Sequence, residues 1–137
     1  MAFNLFVLFN SLQTFNELED LRVIIADYFS YDKNVEISIF KESFVGKNVK
    51  VSWDSWSAKF FLEEDSQTIE DNKYILSKDK ELLHVLGECN ISNKRIRVYF
   101  NSDDERKYTN QCMDIIDFIK SIPNSIVYNP QEEKIWD

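Results

Sequence analysis

The stretch that decides the fold is VEISIFKESFVGKNVKVSWDSWSAKFFL, residues 35–62. Apolar Val35, Ile37 and Ile39 alternate with Glu36, Ser38 and Phe40, and beyond Gly46 the apolar Val49, Val51 and Trp53 alternate with Lys50, Ser52 and Asp54. A period of two places alternate side chains on opposite faces of a pleated strand. Two such runs joined by a short glycine-containing loop predict an antiparallel hairpin. Trp56, Ala58, Phe60 and Leu62 continue the pattern as a third strand, which runs into Glu63, Glu64 and Asp65.

On the N-terminal side the period changes. Phe3 to Phe9 is a compact apolar run suited to a buried strand. Thr14-Phe-Asn-Glu17 then has the form of a capping box. Phe15, Leu18, Leu21, Ile25 and Tyr28 follow at steps of three and four, one stripe of a helix that should stop near Ser30. The C-terminal half repeats the theme. Arg95 to Phe100 alternates as a strand, and Tyr108, Cys112, Ile115, Ile119 and Ile122 form a second helical stripe halted by Pro123. Ser125–Tyr128 and Lys134–Trp136 flank a turn and predict a closing hairpin. Between these halves, Tyr74-Ile-Leu76 fits either a short strand or the start of a helix, and Asp79–Leu86 reads as a short helix ended by Gly87. Together these elements predict an α+β two-layer sandwich, a mostly antiparallel sheet with two long amphipathic helices packed on it. Residues 1–137 form one domain by the usual size range.

Composition narrows the function. The chain carries 24 acids against 16 bases, a formal charge of −8. That opposes a nucleic-acid ligand, whose phosphates need a basic face, and favours a basic macromolecular partner. Only 2 glycines and 2 prolines are present, little material for a phosphate-cradling loop. The N-terminal apolar run has no basic segment before it and is too short to span a bilayer, so a cytoplasmic protein with no membrane partner is expected. Cys89 and Cys112 have no metal or redox spacing and read as free thiols.

No catalytic residue, metal ligand or cofactor is expected. His84, the single histidine, sits inside Leu82-Leu-His-Val-Leu86 and reads as a partly buried helix residue. Neither a nucleophile elbow, a P-loop nor a zinc-binding motif occurs. The candidate sites are acidic. Asp103, Asp104 and Glu105 lie between a strand and a helix predicted to begin near residue 105, where acids cap the helix and complement its dipole. They lack the spacing of a Ca²⁺ loop. Glu63, Glu64 and Asp65 with Glu70 and Asp71 put five acids in nine residues without a Lys or Arg. They read as a solvated loop or as the rim of a surface for a basic protein. Trp53 and Trp56 lie three apart and need not share a sheet face, so one can be core and the other an exposed interface anchor. The partner-binding candidates are therefore Glu63, Glu64, Asp65, Asp103, Asp104, Trp53 and Trp56.

The second half carries a recognisable pattern. The strand R-I-R-V-Y-F leads into S-D-D-E-R, an amphipathic helix contains N-Q-C-M-D-I-I-D-F-I, and I-P-N-S-I-V-Y-N-P-Q-E-E-K-I-W closes the chain. Over residues 93–137 this resembles the small bacterial immunity proteins that accompany polymorphic or contact-dependent toxins. Many of those end in a strand of the "ivydPq…kvw" kind. The resemblance implies a small, acidic, non-catalytic cytosolic protein that binds a cognate toxin domain and blocks it by occlusion. A basic nuclease is the natural counterpart of such charge. Binding residues in these proteins diverge from pair to pair, so no residue's role is carried over. The alternatives are a non-catalytic adaptor or subunit of another bacterial complex, and a carboxylate-dependent hydrolase.

Overall fold

The computed structural model describes residues 2–10, 15–44, 46–77 and 91–136. Seven strands form one antiparallel sheet: β1 Phe3–Asn10, β2 Glu36–Glu42, β3 Gly46–Trp53, β4 Trp56–Glu63, β5 Ile91–Phe100, β6 Ser125–Asn129 and β7 Lys134–Trp136. Their spatial order is β2-β3-β4-β5-β1-β6-β7. Three helices are described: α1 Leu18–Tyr28, α2 Ser66–Ser77 and α3 Thr109–Lys120.

The predicted meander is present as β2, β3 and β4. Ile37 lies opposite Val51 and Ile39 opposite Val49, and on the next pair Val51 lies opposite Ala58 and Val49 opposite Phe60. Gly46 opens β3 with φ +92°, a left-handed conformation that costs glycine nothing and strains any residue with a Cβ. Asp54, at φ 52°, is the first residue of a two-residue turn between β3 and β4. The N-terminal run, β1, lies inside the sheet between β5 and β6. Leu5 to Phe9 are all apolar because both faces are covered there. Leu5, Val7 and Phe9 enter the main core, while Leu8 joins a second cluster on the opposite face.

Leu21 and Ile25 of α1, with Ile115 and Ile119 of α3, pack into the main core with Val49, Val51, Ile96 and Val98 of the sheet. The predicted stripes hold with one correction at the end of α1. Tyr28 is exposed and the adjacent Phe29 is buried instead, because the helix ends there and Phe29 turns inward against Trp53 and Phe118. The Asp20 carboxylate accepts from the backbone N–H groups of Asn16 and Glu17 at the start of α1. The expected Thr14 cap lies outside the described residues.

A second correction concerns Glu70 and Asp71, read as part of a solvated loop or binding rim, which lie on helix α2; of the two readings of Tyr74–Leu76, strand or helix, the helix is found, and it begins at Ser66. Asp65 starts it by accepting from the backbone N–H and the hydroxyl of Thr68, both at 2.8 Å. Ile75 packs with Leu8, Ile126 and Tyr128, so α2 covers the face opposite to α1 and α3. The architecture is therefore α+β on an antiparallel sheet, with described helices on both faces. The predicted helix 79–86, His84 and Cys89 lie outside the described residues.

Candidate functional site

The sequence candidates fall into three places in the fold. Glu63 closes β4 directly opposite Arg95 of β5. Its carboxylate accepts from Arg95 Nε at 2.8 Å and from Arg97 Nε at 3.2 Å, and Asp71 on α2 receives Arg95 Nη1 at 3.2 Å. Arg95 is only 6% exposed and its guanidinium lies 3.9 Å from the centre of the Phe6 ring. Arg97 lies 4.2 Å from that of Phe61. Glu64 is paired with Lys94 at 3.3 Å. The segment is thus occupied by internal ion pairs, which join α2 to the sheet, and Asp65 is occupied by the start of α2. The backbone N–H of Thr68, followed by its hydroxyl, holds the Asp65 carboxyl below the usual carboxylate range. Sequence could not show this, because the partners lie 24 to 34 positions away.

Trp53 and Trp56 are both buried, which corrects the expectation that one is exposed. A two-residue turn makes them direct cross-strand partners, and such partners share a face. Their rings lie 6.0 Å apart. Trp53 Nε1 donates to Asp32 at 2.7 Å, tying β3 to the chain just after α1. Trp56 Nε1 donates to the Asn101 carbonyl at 2.9 Å.

The third place is a polar cavity of about 290 Å³, lined by Ser55, Trp56, Ser102, Asp103, Asp104, Glu105, Lys107 and Tyr108. Asp103 organises its wall. One carboxylate oxygen accepts from Lys107 N at 2.9 Å and the other from Tyr108 N at 2.8 Å. Arg106 adopts φ 56°, so residues 103–107 form a turn and α3 begins at Thr109 rather than near 105. Asp103 therefore satisfies backbone donors ahead of the helix, a role close to the predicted cap but one turn earlier. Tyr108 stacks on Trp56 with centroids 5.9 Å apart and planes 13° from parallel. Its hydroxyl donates to Asp54 Oδ2 at 3.3 Å and lies 3.1 Å from Ser55 Oγ. Asp104 and Glu105 are exposed at the mouth. The mouth carries Asp104 and Glu105 beside exposed Arg106 and Lys107, and the Lys107 Nζ itself lies 5.8 Å from the centre of the Tyr108 ring. Among the described residues, no group of three or more His, Cys, Asp or Glu side chains is placed to hold a metal ion. Nor is any described helix long and apolar enough to cross a membrane.

A further surface has no counterpart in the sequence reading. Val23, Tyr28, Tyr31 and Met113 are exposed on and beside α1 and α3. Tyr28 packs across to Phe118 at 5.0 Å between centroids, and the Tyr31 hydroxyl reaches Asp114 at 3.5 Å. Partial burial, then the charge of Asp114, raises the Tyr31 phenol above its usual range. Val23 sits off the predicted stripe, which is the one signal available for its exposure.

Set against known proteins, the chain matches no family model, no curated protein and no solved structure.

Proposed function

We propose that the chain is a non-catalytic immunity protein that binds a basic bacterial toxin domain in the cytoplasm and neutralises it by occlusion. The observation that carries this reading is the acidic mouth at residues 102–105. Asp103 is held from within by the backbone of Lys107 and Tyr108, and Asp104 and Glu105 are exposed beside it. A fixed acidic edge beside aromatic floor residues fits a partner rich in lysine or arginine, and pre-set geometry lowers the ordering cost of binding. The strand, acidic turn, helix and closing hairpin of residues 95–136 are also the elements on which the resemblance to immunity proteins rests. In this reading, α1 and α3 with the sheet form a two-layer unit that presents the acidic edge, and Glu63, Glu64 and Asp65 support the fold while adding to the long-range field. Trp53 and Trp56 stiffen the turn from below.

The test is co-expression with the C-terminal domain encoded by the gene immediately upstream. Rescue of growth is expected, together with a purified complex whose association slows as salt rises from low to physiological ionic strength. Unchanged toxicity in the presence of the chain would overturn the reading.

A further inference from the structure

Between α1 and α3 runs an open groove of about 480 Å³, lined on its apolar walls by Phe15, Val23, Ile24, Phe118, Ile122 and Pro123. Its size falls in the range of pockets that enclose a bulky side chain or small ligand. Val23 is 49% exposed at its edge, an energetic cost that a covering partner would remove. Charge selects that partner. Asp20 lines the groove. By helical spacing, Asp27 stands four positions beyond Val23 on α1, and Asp114 and Asp117 stand four before Phe118 and Ser121 on α3. Asp27 and Asp117 are exposed and neither makes an ion pair among the described residues. Arg22, the one base within α1, is tied to Glu19.

The other apolar surface has the opposite sign. Edge strand β2 and the loop after it expose Ile39, Phe40 and Phe44, but Lys41 lies directly opposite Lys47, and Lys50 stands over the Phe40 ring. A basic partner is repelled there and attracted to the helical face.

We infer that the α1–α3 groove is the anchoring site for the basic partner, taking a leucine- or phenylalanine-sized side chain flanked by lysine or arginine. The identity of that partner as a toxin domain rests on the immunity reading; the groove's preference for a cationic amphipathic segment does not. An apolar anchor seated in the groove beside Asp20, with Asp27 and Asp117 outweighing Lys120, the single flanking base of α3, combines desolvated packing with charge-steered encounter.

A synthetic lysine–leucine amphipathic helical peptide, titrated into the ¹⁵N-labelled full chain, tests the groove directly. Amide shifts are expected over residues 20–28 and 114–123. Val23→Lys and Asp117→Lys, each made separately, should weaken the peptide by about tenfold with little change in Tm, since both positions are exposed. Shifts centred on 39–44 or 102–108, undiminished affinity in both variants, or no binding at all would overturn the proposal. The co-expression assay separates the two ideas. If the wild-type chain rescues growth and both variants rescue equally, the groove is not the toxin site while the immunity reading stands. If the wild-type chain fails to rescue, the immunity reading falls and the peptide map still decides the groove.

Discussion

Asp65 and Cys112 show how single side chains are committed by their surroundings. Asp65 is held ionised by Thr68 at the start of α2. Because its folded value is depressed, its contribution to stability is complete above the ordinary aspartate range, about 4, and disappears as pH falls through the lower folded value. Asp65→Ala should therefore lower Tm by a few degrees at neutral pH, and the gap to the wild type should narrow as pH falls below the ordinary aspartate range. An equal gap at neutral and at acidic pH in thermal melts would contradict the capping role. Cys112 is half-buried, and burial, with the nearby Asp103 charge as the lesser cause, pushes its thiol up. Nucleophilic attack needs the thiolate. Iodoacetamide at pH 8 should alkylate Cys112 more slowly in the folded chain than in urea, read by peptide mass spectrometry, and equal rates would refute this.

At the scale of elements, α3 joins the core to the turn that carries Asp103, Asp104 and Glu105. Ile115 is fully buried and Ile119 beside it equally so, and both face the strands that carry the core. Ile115→Ala should destabilise by about 2–5 kcal/mol in denaturant melts, the cost of lost transfer energy plus a cavity. A loss below about 1 kcal/mol would mean that α3 does not pack as described. The strand and helix periodicities were legible here because each element has one buried face. Helix α2 was not. Its apolar contact is confined to Ile75 and a few neighbours, and its polar residues read as a loop until Thr68, Asn72 and Ile75 are seen buried on one side. The stop of α1 was legible to within a residue or two, yet the choice of Phe29 over Tyr28 depends on its edge-to-face contact with Trp53.

Across the whole molecule, charge is unevenly spread. Lys33, Lys41, Lys47, Lys50 and Lys59 gather on and around β2, β3 and β4, where Glu36 and Asp54 are exposed acids, while α1, α3 and the 102–105 turn expose Glu19, Asp20, Asp27, Asp104, Glu105 and Asp117. Lys59 is neutralised by Glu42, but the remaining lysines leave that end of the sheet basic within a chain of −8. For the proposed basic partner, reversing the sign of one helical acid, as in Asp117→Lys, would act on approach as well as on the contact itself.

Sequence alone determined the alternation that makes the β2–β4 meander, the two helical stripes, the closing hairpin and the overall acidity, because these depend on residues within a few positions of one another. Only the tertiary structure decided which acids remain available. Glu63 and Asp71 are consumed by Arg95, a residue far along the chain that reaches them through strand pairing and the placement of α2. Packing between distant elements buried Trp53 against Phe29 and Trp56 against Tyr108, and brought α1 beside α3, creating a groove that neither helix possesses by itself. Local pattern specifies which face of an element is apolar. Which elements become neighbours, and so which charges meet, is set by contacts between distant parts of the chain.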